Sequence, residues 1–258
     1  MIDTHAHLHL IHRSNDSIWE DAQRHGVKHI IQVAIDDESL ALNQSQFSAI
    51  PWCSITAGLH PLSVADTPCL DTTFDTIESM IPSIVAIGEI GLDYKYGDTN
   101  KGQQQAFFIR QLDLAVKHNK PVIIHSRQAD DDMLAIINAY PHLKKVFHCY
   151  ATTIDFFESL VGSQNYVSFT GMVTYSKKGK VIRALKSVPM DRLMIETDAP
   201  YLRPKSCVND QNEPMQLLYI AQAVANHRGQ LLSDVITQTT KNAIQFFELS
   251  FLENNDLM

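Results

Sequence analysis

The sequence predicts an α/β protein of one domain, residues 1–258, folded as a (β/α)8 barrel (TIM barrel). Two observations predict this fold. Short apolar runs rich in Val and Ile recur eight times, and amphipathic stretches long enough for helices separate them. Most of the runs are apolar on both faces, as in a parallel sheet that is covered on both sides. Eight strands alternating with helices over 258 residues are typical of the barrel, and an open doubly wound sheet is the alternative.

The eight predicted strands follow one another along the whole chain. They lie at residues 1–8, 28–35, 52–59, 83–90, 121–127, 145–150, 165–171 and 193–200. The early strands are not followed by a GxGxxG or GxxxxGK[ST] motif. The usual dinucleotide-binding and P-loop versions of an open sheet are therefore not indicated.

Amphipathic patterns predict helices between and after these strands. The clearest lie at residues 16–26, 103–119, 152–162, 213–229 and 231–249. The first is expected to begin at Asp16 as its N-cap and to stop at Gly26. The fourth has Glu213 and Pro214 in its first turn and ends at Gly229, a typical start and stop for a helix.

Composition limits the classes of function. The formal net charge of −8 argues against a protein that coats nucleic acid through a global basic field, but bound divalent cations would invert the charge of a local site. No apolar run reaches the length of a membrane span. Asp3 and the histidines stand where a signal peptide would have its basic and apolar residues. The four cysteines lack CxxC spacing. A cytoplasmic protein with reduced thiols is therefore expected.

Histidines and carboxylates stand near the ends of six of the eight apolar runs. They are His5, His7, His60, Glu89, His125, His148, Glu196 and Asp198. One such residue is ordinary in a protein core, but burying the whole set is costly unless the groups are paired or bind a cation. Because the carboxyl ends of barrel strands open on one face, these side chains are expected to meet there.

The donor types predict a site for divalent metal ions. Imidazole and carboxylate without thiolate suit Zn, Mn, Fe or Co, and Mg at carboxylate-rich positions. Glu89 can bridge two ions, which would activate one water and polarise an ester oxygen. Asp198 can ligate a metal, accept the proton of the nucleophilic water, or do both, so Asp198 and Glu89 are the predicted catalytic residues.

Several stretches of the chain together resemble one known family, the TatD-type metal-dependent hydrolases and deoxyribonucleases. The matching stretches are IDTHAH, TAGLHP, AIGEIGLDY, QQAFFIRQLDLA, PVIIHSR, VFHCY, FTGMVTYSKKG, IETDAPYL and NEP. They occur in the family's order over nearly the whole length, and GEIGLDY with ETDAPYL is the specific part. The resemblance implies a barrel monomer that hydrolyses DNA phosphodiester bonds without an organic cofactor.

The resemblance also implies a role for each metal ligand. It assigns His5, His7, Glu89 and Asp198 to one ion, and Glu89, His125 and His148 to a second. Glu196 resembles the carboxylate that supports an additional ion in some members. Two or three divalent ions are therefore expected, drawn from Zn, Mn, Mg and Co.

Three residues are expected to contact the substrate. His60 resembles the family's histidine near the substrate phosphate. Arg127 is expected to contact a phosphate, with a salt bridge to one of the aspartates 130–132 as the alternative. Arg203, in the segment between IETDAPYL and NEP, is the third predicted contact.

The opening run MIDTHAHLHL predicts different roles for its polar residues. Strand alternation puts Asp3, His5, His7 and His9 on one side, with Asp3 orienting a ligand histidine. His9 stands where the family commonly has aspartate and is expected to tune substrate contact. His12 is expected in solvent.

Two alternatives to a deoxyribonuclease stay open. The acidic balance and the HSRQADDD segment favour a metal hydrolase of a small ester, amide, nucleotide or aminoacyl-tRNA ester. A non-catalytic barrel that binds a partner is the third reading, and the complete set of ligand-type residues argues against it.

Overall fold

The computed structural model confirms the predicted fold: eight parallel strands form one sheet in the order β1 to β8, with helices between them. It describes residues 1–160, 162, 164–175, 177–207 and 211–253. The strands are β1 Ile2–Ala6, β2 His29–Gln32, β3 Cys53–Ala57, β4 Ala86–Asp93, β5 Val122–Arg127, β6 Lys145–Phe147, β7 Asn165–Phe169 and β8 Leu193–Ile195. Each lies within or overlaps one of the eight apolar runs, because strands buried on both faces need continuous apolar sequence.

The helices alternate with the strands as expected. They are α1 Asn15–Arg24, α2 Asp37–Leu42, α3 Leu70–Met80, α4 Lys101–His118, α5 Asp130–Ile137, α6 Ile154–Glu158, α7 Lys180–Ser187, α8 Leu217–Arg228, α9 Leu232–Phe247 and α10 Ser250–Glu253. None of these described helices is long and apolar enough to cross a membrane.

Two details of the predicted helices were wrong. The N-cap of α1 is Ser14, whose side chain accepts a hydrogen bond from the Ser17 backbone N–H, whereas Asp16 lies inside the first turn. Both residue types serve as N-caps, so sequence alone does not decide between neighbours. The helix predicted at 152–162 is shorter, because α6 ends at Glu158. By contrast, α8 ends as predicted, with Gly229 in the left-handed conformation at φ 65°.

Two compact units can be distinguished in the chain. The first comprises residues 1–31, 149–154 and 167–258, and the second comprises residues 32–148 and 155–166. The assignment of residues 1–258 to one domain stays a prediction of the sequence.

In the first unit, the segment that follows β8 pairs with the end of β1. Ala6 and Ala199 form a parallel bridge, and the His7 backbone N–H donates to the Ala199 carbonyl at 2.7 Å. One step earlier, the Asp198 backbone N–H donates to the His5 carbonyl at 2.9 Å. This pairing brings residues nearly 200 positions apart in the chain side by side.

In the second unit, β3, β4, β5 and β6 pair in parallel, and β4 carries an irregularity. The register with β5 shifts between Ile87 and Ile90, which is the stretch that contains Glu89. Gly91, at φ 144°, lies so close to β5 that an added Cβ would collide with the His125 carbonyl. The second glycine of the GEIG stretch therefore lets the backbones bearing Glu89 and His125 approach closely.

Candidate metal centre

The first unit holds one cluster of ligand-type side chains, formed by His5, His7 and Asp198. The Nε2 atoms of His5 and His7 lie 3.2 Å apart. Asp198 Oδ1 lies 3.5 Å from His7 Nε2 and 3.8 Å from His5 Nε2. All three residues are buried. Two imidazole nitrogens and a carboxylate oxygen thus point at one another inside the protein, as predicted for part of a metal site.

A short hydrogen-bond network fixes Asp198 in this position. Its backbone is left-handed, at φ 54°, an uncommon conformation for a residue other than glycine. The side chain of buried Asn212 donates to the carbonyls of Thr197 and Tyr201, which flank Asp198. The NEP stretch therefore holds the turn after β8 in shape, a role that the sequence did not suggest.

Asp3 supports the same turn rather than a histidine ring, so the expectation that it orients a ligand imidazole was wrong. Its carboxylate accepts hydrogen bonds from the Thr197 backbone N–H at 2.9 Å and from the Thr197 hydroxyl at 2.5 Å. Its third contact is to the His5 backbone N–H, at 3.5 Å. Burial raises the pKa of Asp3 to about 7, against the lowering effect of these donors. Hydrogen bonds to the main chain and a hydroxyl thus connect Asp3 to the cluster.

Glu196, two residues before Asp198, is buried and accepts hydrogen bonds from protein donors. One carboxylate oxygen accepts from the Cys149 backbone N–H at 2.6 Å, and the other accepts from the Ser168 hydroxyl. Glu196 therefore ties the segment after β6 to β7. A role for it at a third ion stays a prediction.

The second unit holds a second cluster, centred on Glu89. One oxygen, Oε1, lies 2.7 Å from His148 Nε2, 2.9 Å from His125 Nδ1 and 3.5 Å from His60 Nε2. Burial on its own would raise the pKa of Glu89, but the surrounding histidines outweigh burial and hold the pKa well below its usual range. Glu89 is therefore a carboxylate at neutral pH, surrounded by three imidazoles.

His60 belongs to this cluster and is neutral. Burial lowers its pKa to about 3. Its Nδ1 accepts a hydrogen bond from the Leu62 backbone N–H at 3.2 Å, so the ring proton sits on Nε2 and faces Glu89. The ring also packs edge-on against His125, with centroids 4.5 Å apart. A neutral N–H donor beside the cluster fits the predicted role of His60 near a substrate phosphate.

Asp93 is a functional candidate that the sequence analysis missed. Its Oδ2 lies 3.0 Å from His125 Nε2, the nitrogen opposite the one that faces Glu89. A carboxylate in this position fixes the orientation and tautomer of a metal-binding histidine. The signal was present, because Asp93 ends an apolar strand like the other predicted ligands.

Two glutamines on α4 hold the strand ends that carry this cluster. Gln104 accepts from the Asp93 backbone N–H at 2.9 Å and donates to the carbonyls of Asp93 and Gly97. Gln111 accepts from the Leu59 backbone N–H, one residue before His60, and donates to the Leu59 carbonyl. The QQAFFIRQLDLA stretch thus anchors both loops in a buried position.

The two predicted arginine contacts lie at the surface. Arg127 is exposed at the end of β5, and its guanidinium lies over the Tyr96 ring, 4.7 Å from the centroid. Within the described residues it makes no salt bridge with the aspartates 130–132, so that alternative was wrong. Arg203 is exposed, and its carbonyl accepts a hydrogen bond from the Tyr175 hydroxyl. Contact of either arginine with substrate stays a prediction.

The remaining histidines of the opening run are less buried than His5 and His7. β1 ends at Ala6, so strict strand alternation stops before His7, and residues 8–10 form a short 3-10 turn. His9 is half-buried with its ring 6.0 Å from that of His7. His12 is exposed, as predicted.

The donor chemistry of both clusters fits divalent metal ions. Imidazole nitrogens and carboxylate oxygens converge within a few ångström in a buried setting, and the His60, Glu89 and His125 ligand atoms lie within 4.8 Å of one another. Buried imidazole pairs such as His5 and His7 are stabilised when a cation accepts their lone pairs. A parallel eight-stranded barrel with such residues at its strand ends defines the class of (β/α)8 metal-dependent hydrolases.

Comparison with known proteins identifies the family within that class. The family model of the TatD-related DNases matches residues 2–248, so the chain belongs to this family. A metal-dependent hydrolase of Bacillus subtilis, YabD, is 30% identical over 97% of this chain and 100% of its own. A protein of Pantoea vagans named 3'-5' ssDNA/RNA exonuclease TatD is 35% identical over 77% of this chain and 79% of its own. The crystal structure of YjjV, a TatD homologue of Escherichia coli, matches with a TM-score of 0.86 and 25% identity over 96% of this chain and 98% of that one.

Proposed function

We propose that the protein is a metal-dependent phosphodiesterase that hydrolyses single-stranded DNA, acting from a 3′ end. The observation that carries the proposal is the Glu89 cluster, where one carboxylate oxygen faces three imidazole nitrogens within 3.5 Å in a buried site. The TatD family and the exonuclease name of the Pantoea relative support nucleic acid as the substrate. We further propose that the protein is a cytoplasmic monomer without an organic cofactor.

Each cluster is proposed to hold a divalent ion. His5, His7 and Asp198 would hold one, and Glu89, His125 and His148 would hold the other. Glu196 is the candidate for a third ion. Bound Zn, Mn, Mg or Co would lower the pKa of a water ligand and offset the negative charge of a phosphate.

The chain's own residues supply the remaining chemistry. Asp198 is the proposed base that accepts a proton from the attacking water, since its carboxylate faces the His5 and His7 nitrogens and is held from both flanks by Asn212. His60 donates a hydrogen bond from its Nε2–H to a phosphate oxygen, because the neutral ring carries its proton on that nitrogen. Arg127 and Arg203 pair with neighbouring phosphates.

A hydrolase of small esters is the second candidate, favoured by the net charge of −8. The salt dependence of substrate affinity distinguishes these two candidate functions. A nuclease that contacts several phosphates loses affinity steeply as salt rises, whereas an enzyme for small neutral esters hardly responds.

The decisive experiment is a substrate panel across metals. Protein stripped with a chelator is reloaded with Mg, Mn, Co or Zn and given single- and double-stranded DNA labelled at either end, RNA, aminoacyl-tRNA and small esters. The proposal expects shortening of single-stranded DNA from the 3′ end, restored by metal. Turnover of small esters without cleavage of DNA under any metal would overturn it in favour of the second candidate.

Variants assign the activity to the clusters. Glu89→Gln and Asp198→Asn are expected to lower kcat by at least about 100-fold, since each removes a charged ligand or the base. Glu158→Gln, an exposed carboxylate on α6, is the matched control and should keep full activity. Full activity in either cluster variant would place the active site elsewhere.

A further inference from the structure

An exposed tyrosine, Tyr96, and an exposed arginine, Arg127, lie beside the Glu89 cluster. The contacts of their side chains do not indicate a role in stabilising the fold. Tyr96 is 63% exposed, which is unusual for so large a ring. Arg127 covers one part of it, with the guanidinium carbon 4.7 Å from the ring centroid. We propose that Tyr96 and Arg127 form a subsite in which a base of single-stranded nucleic acid stacks on the tyrosine ring and the adjoining phosphate binds the guanidinium. The proposal rests on the proposed function and deepens it by naming a residue that selects a strand over a small ester.

The subsite is attached to the second cluster through Asp93. One oxygen of Asp93 contacts His125, and the other accepts hydrogen bonds from the backbone N–H groups of Lys95 at 2.9 Å and Tyr96 at 3.0 Å. Arg127 follows His125 by two residues in β5, so both side chains leave the strand on the same side. A strand whose phosphate lies at the cluster is therefore within reach of both Tyr96 and Arg127.

Positively charged side chains lie against the rings of Tyr96 and Tyr94. Lys95 Nζ lies 5.8 Å from the Tyr96 centroid, and Lys101 Nζ lies 4.5 Å from the Tyr94 centroid. Within the described part of the chain, no carboxylate forms a salt bridge with Lys95, Lys101 or Arg127. These cations are available to phosphates even though the protein as a whole is acidic.

In the part of the chain that the structure describes, the aspartates of the segment after β5 form no salt bridge with these cations. Asp132 accepts hydrogen bonds from the Tyr94 hydroxyl at 2.7 Å and from the Gln105 side chain at 2.8 Å. Asp130 and Asp131 lie in the first turn of α5, where the helix dipole favours negative charge. The aspartates thus have partners or a favourable field of their own.

Single-stranded nucleic acid is the ligand that this combination fits. Aromatic rings on which bases stack, beside cations that follow the backbone, recur in proteins that bind single strands without sequence preference. A small ester would engage the metal clusters but would not extend to Tyr96. The subsite therefore distinguishes substrates by length.

The test compares variants on a strand and on a short substrate. Binding of (dT)10 is measured by fluorescence anisotropy on metal-loaded protein in the inactive Asp198→Asn background. Turnover of (dT)10 and of methyl 4-nitrophenyl phosphate is measured in the active protein, which retains Asp198. Tyr96→Ala is expected to raise Kd and KM for (dT)10 by about 10- to 100-fold and to leave methyl 4-nitrophenyl phosphate unchanged. Tyr96→Trp should retain binding within about threefold, since stacking needs only an aromatic face.

Salt dependence separates stacking from a merely structural role of the ring. Arg127→Gln should lower the slope of log Kd against log salt by about 0.7, whereas Tyr96→Ala should leave the slope unchanged. If Tyr96 only held Arg127 in place, both variants would change the slope alike, and the double variant would be no worse than either. That result would overturn the proposal.

Tyr219→Ala, an exposed tyrosine on α8, is the matched control and should bind (dT)10 like the unaltered protein. Unchanged binding by Tyr96→Ala, with an unchanged melting temperature, would overturn the subsite while the proposed nuclease activity stands. Failure of the unaltered protein to bind or cleave any single strand would overturn both. The two failures are therefore distinguishable.

Discussion

Asp93 shows how one side chain connects the candidate site to the surface. Its two oxygens divide their contacts between the ring of His125 and the backbone of the loop that carries Tyr96. Burial on its own would raise the pKa of Asp93, but His125 and these backbone donors outweigh it and lower the pKa. Asp93 is therefore a charged positioning residue for His125.

Asp93→Asn is expected to weaken metal affinity by about 10- to 100-fold, because the amide no longer fixes the imidazole with a charge. Metal titration by calorimetry checks this, with Asp98→Asn, an exposed aspartate in the same loop, as the control. Equal metal affinity in Asp93→Asn and the unaltered protein would show that Asp93 does not act through His125.

His29 is a residue whose burial affects stability rather than the site. It lies at the start of β2 with its ring 5.5 Å from that of Phe251, and burial lowers its pKa to about 4 from the ordinary 6.5. Between these pH values the unfolded chain binds a proton that the folded chain does not. The free energy of unfolding therefore loses about 3 kcal/mol as pH falls from 6.5 to 4.

We predict that His29→Gln removes this part of the acid sensitivity. Denaturant unfolding at pH 7 and pH 4.5 measures it, and the drop in stability between the two should be smaller in His29→Gln than in the unaltered protein. His142→Gln, an exposed histidine, is the control. An identical drop in all three proteins would contradict the prediction.

Among the helices, α4 supports the second cluster through hydrogen bonds to the strand ends. Gln104 and Gln111, two helical turns apart on its buried face, hold the ends of β4 and β3 respectively. The glutamines add hydrogen bonds to main-chain groups that would otherwise be buried without partners.

Replacing Gln104 with Leu leaves the Asp93 and Gly97 backbone groups without these partners. We expect a loss of about 2–4 kcal/mol in the free energy of unfolding, since each buried polar group left unsatisfied costs about 1–3 kcal/mol. Activity should fall as well, because the loop bearing Asp93 loosens. Chemical denaturation compares this variant with Gln103→Leu, an exposed neighbour on the same helix, whose stability should stay within about 0.5 kcal/mol. Equal stability of the two variants would contradict the bracing role.

Metal binding and folding are expected to be coupled in this protein. His5, His7, Glu89 and Asp198 are buried, and an ion that binds only the folded chain stabilises it by mass action. The same buried polar groups weaken the protein when no cation is bound.

Adding Mn or Zn at about 100 times the dissociation constant should stabilise the fold by about 2.7 kcal/mol, a rise of about 5–10 °C in Tm for a chain of this size. Thermal scans with metal, with chelator and with neither test this. The double variant Glu89→Gln with Asp198→Asn should lose most of the rise. An unchanged Tm with every metal would revive the reading of a non-catalytic barrel.

The eight strands and the types of residue in the two clusters could be predicted from the amino-acid sequence alone. A strand buried on both faces must be written as an apolar run, and a histidine or carboxylate at its end stands out against that background. That His5, His7, Glu89, His125, His148 and Asp198 would converge could be predicted for this reason, whereas their division between two ions is what the family resemblance implies. The left-handed stop of α8 at Gly229 is equally local.

The groups that support the clustered residues could be identified only from the three-dimensional fold. Asp3 contacts Thr197 across 194 positions of chain, and Gln111 reaches Leu59 across 52. Arg127 stacks on Tyr96 instead of pairing with a nearby aspartate in its own loop. These pairings depend on how loops from different strands approach one another, and no period or spacing in the chain encodes that approach. The proposed ligands can therefore be predicted from the sequence, whereas the residues that orient them are identified only when the strand ends are assembled.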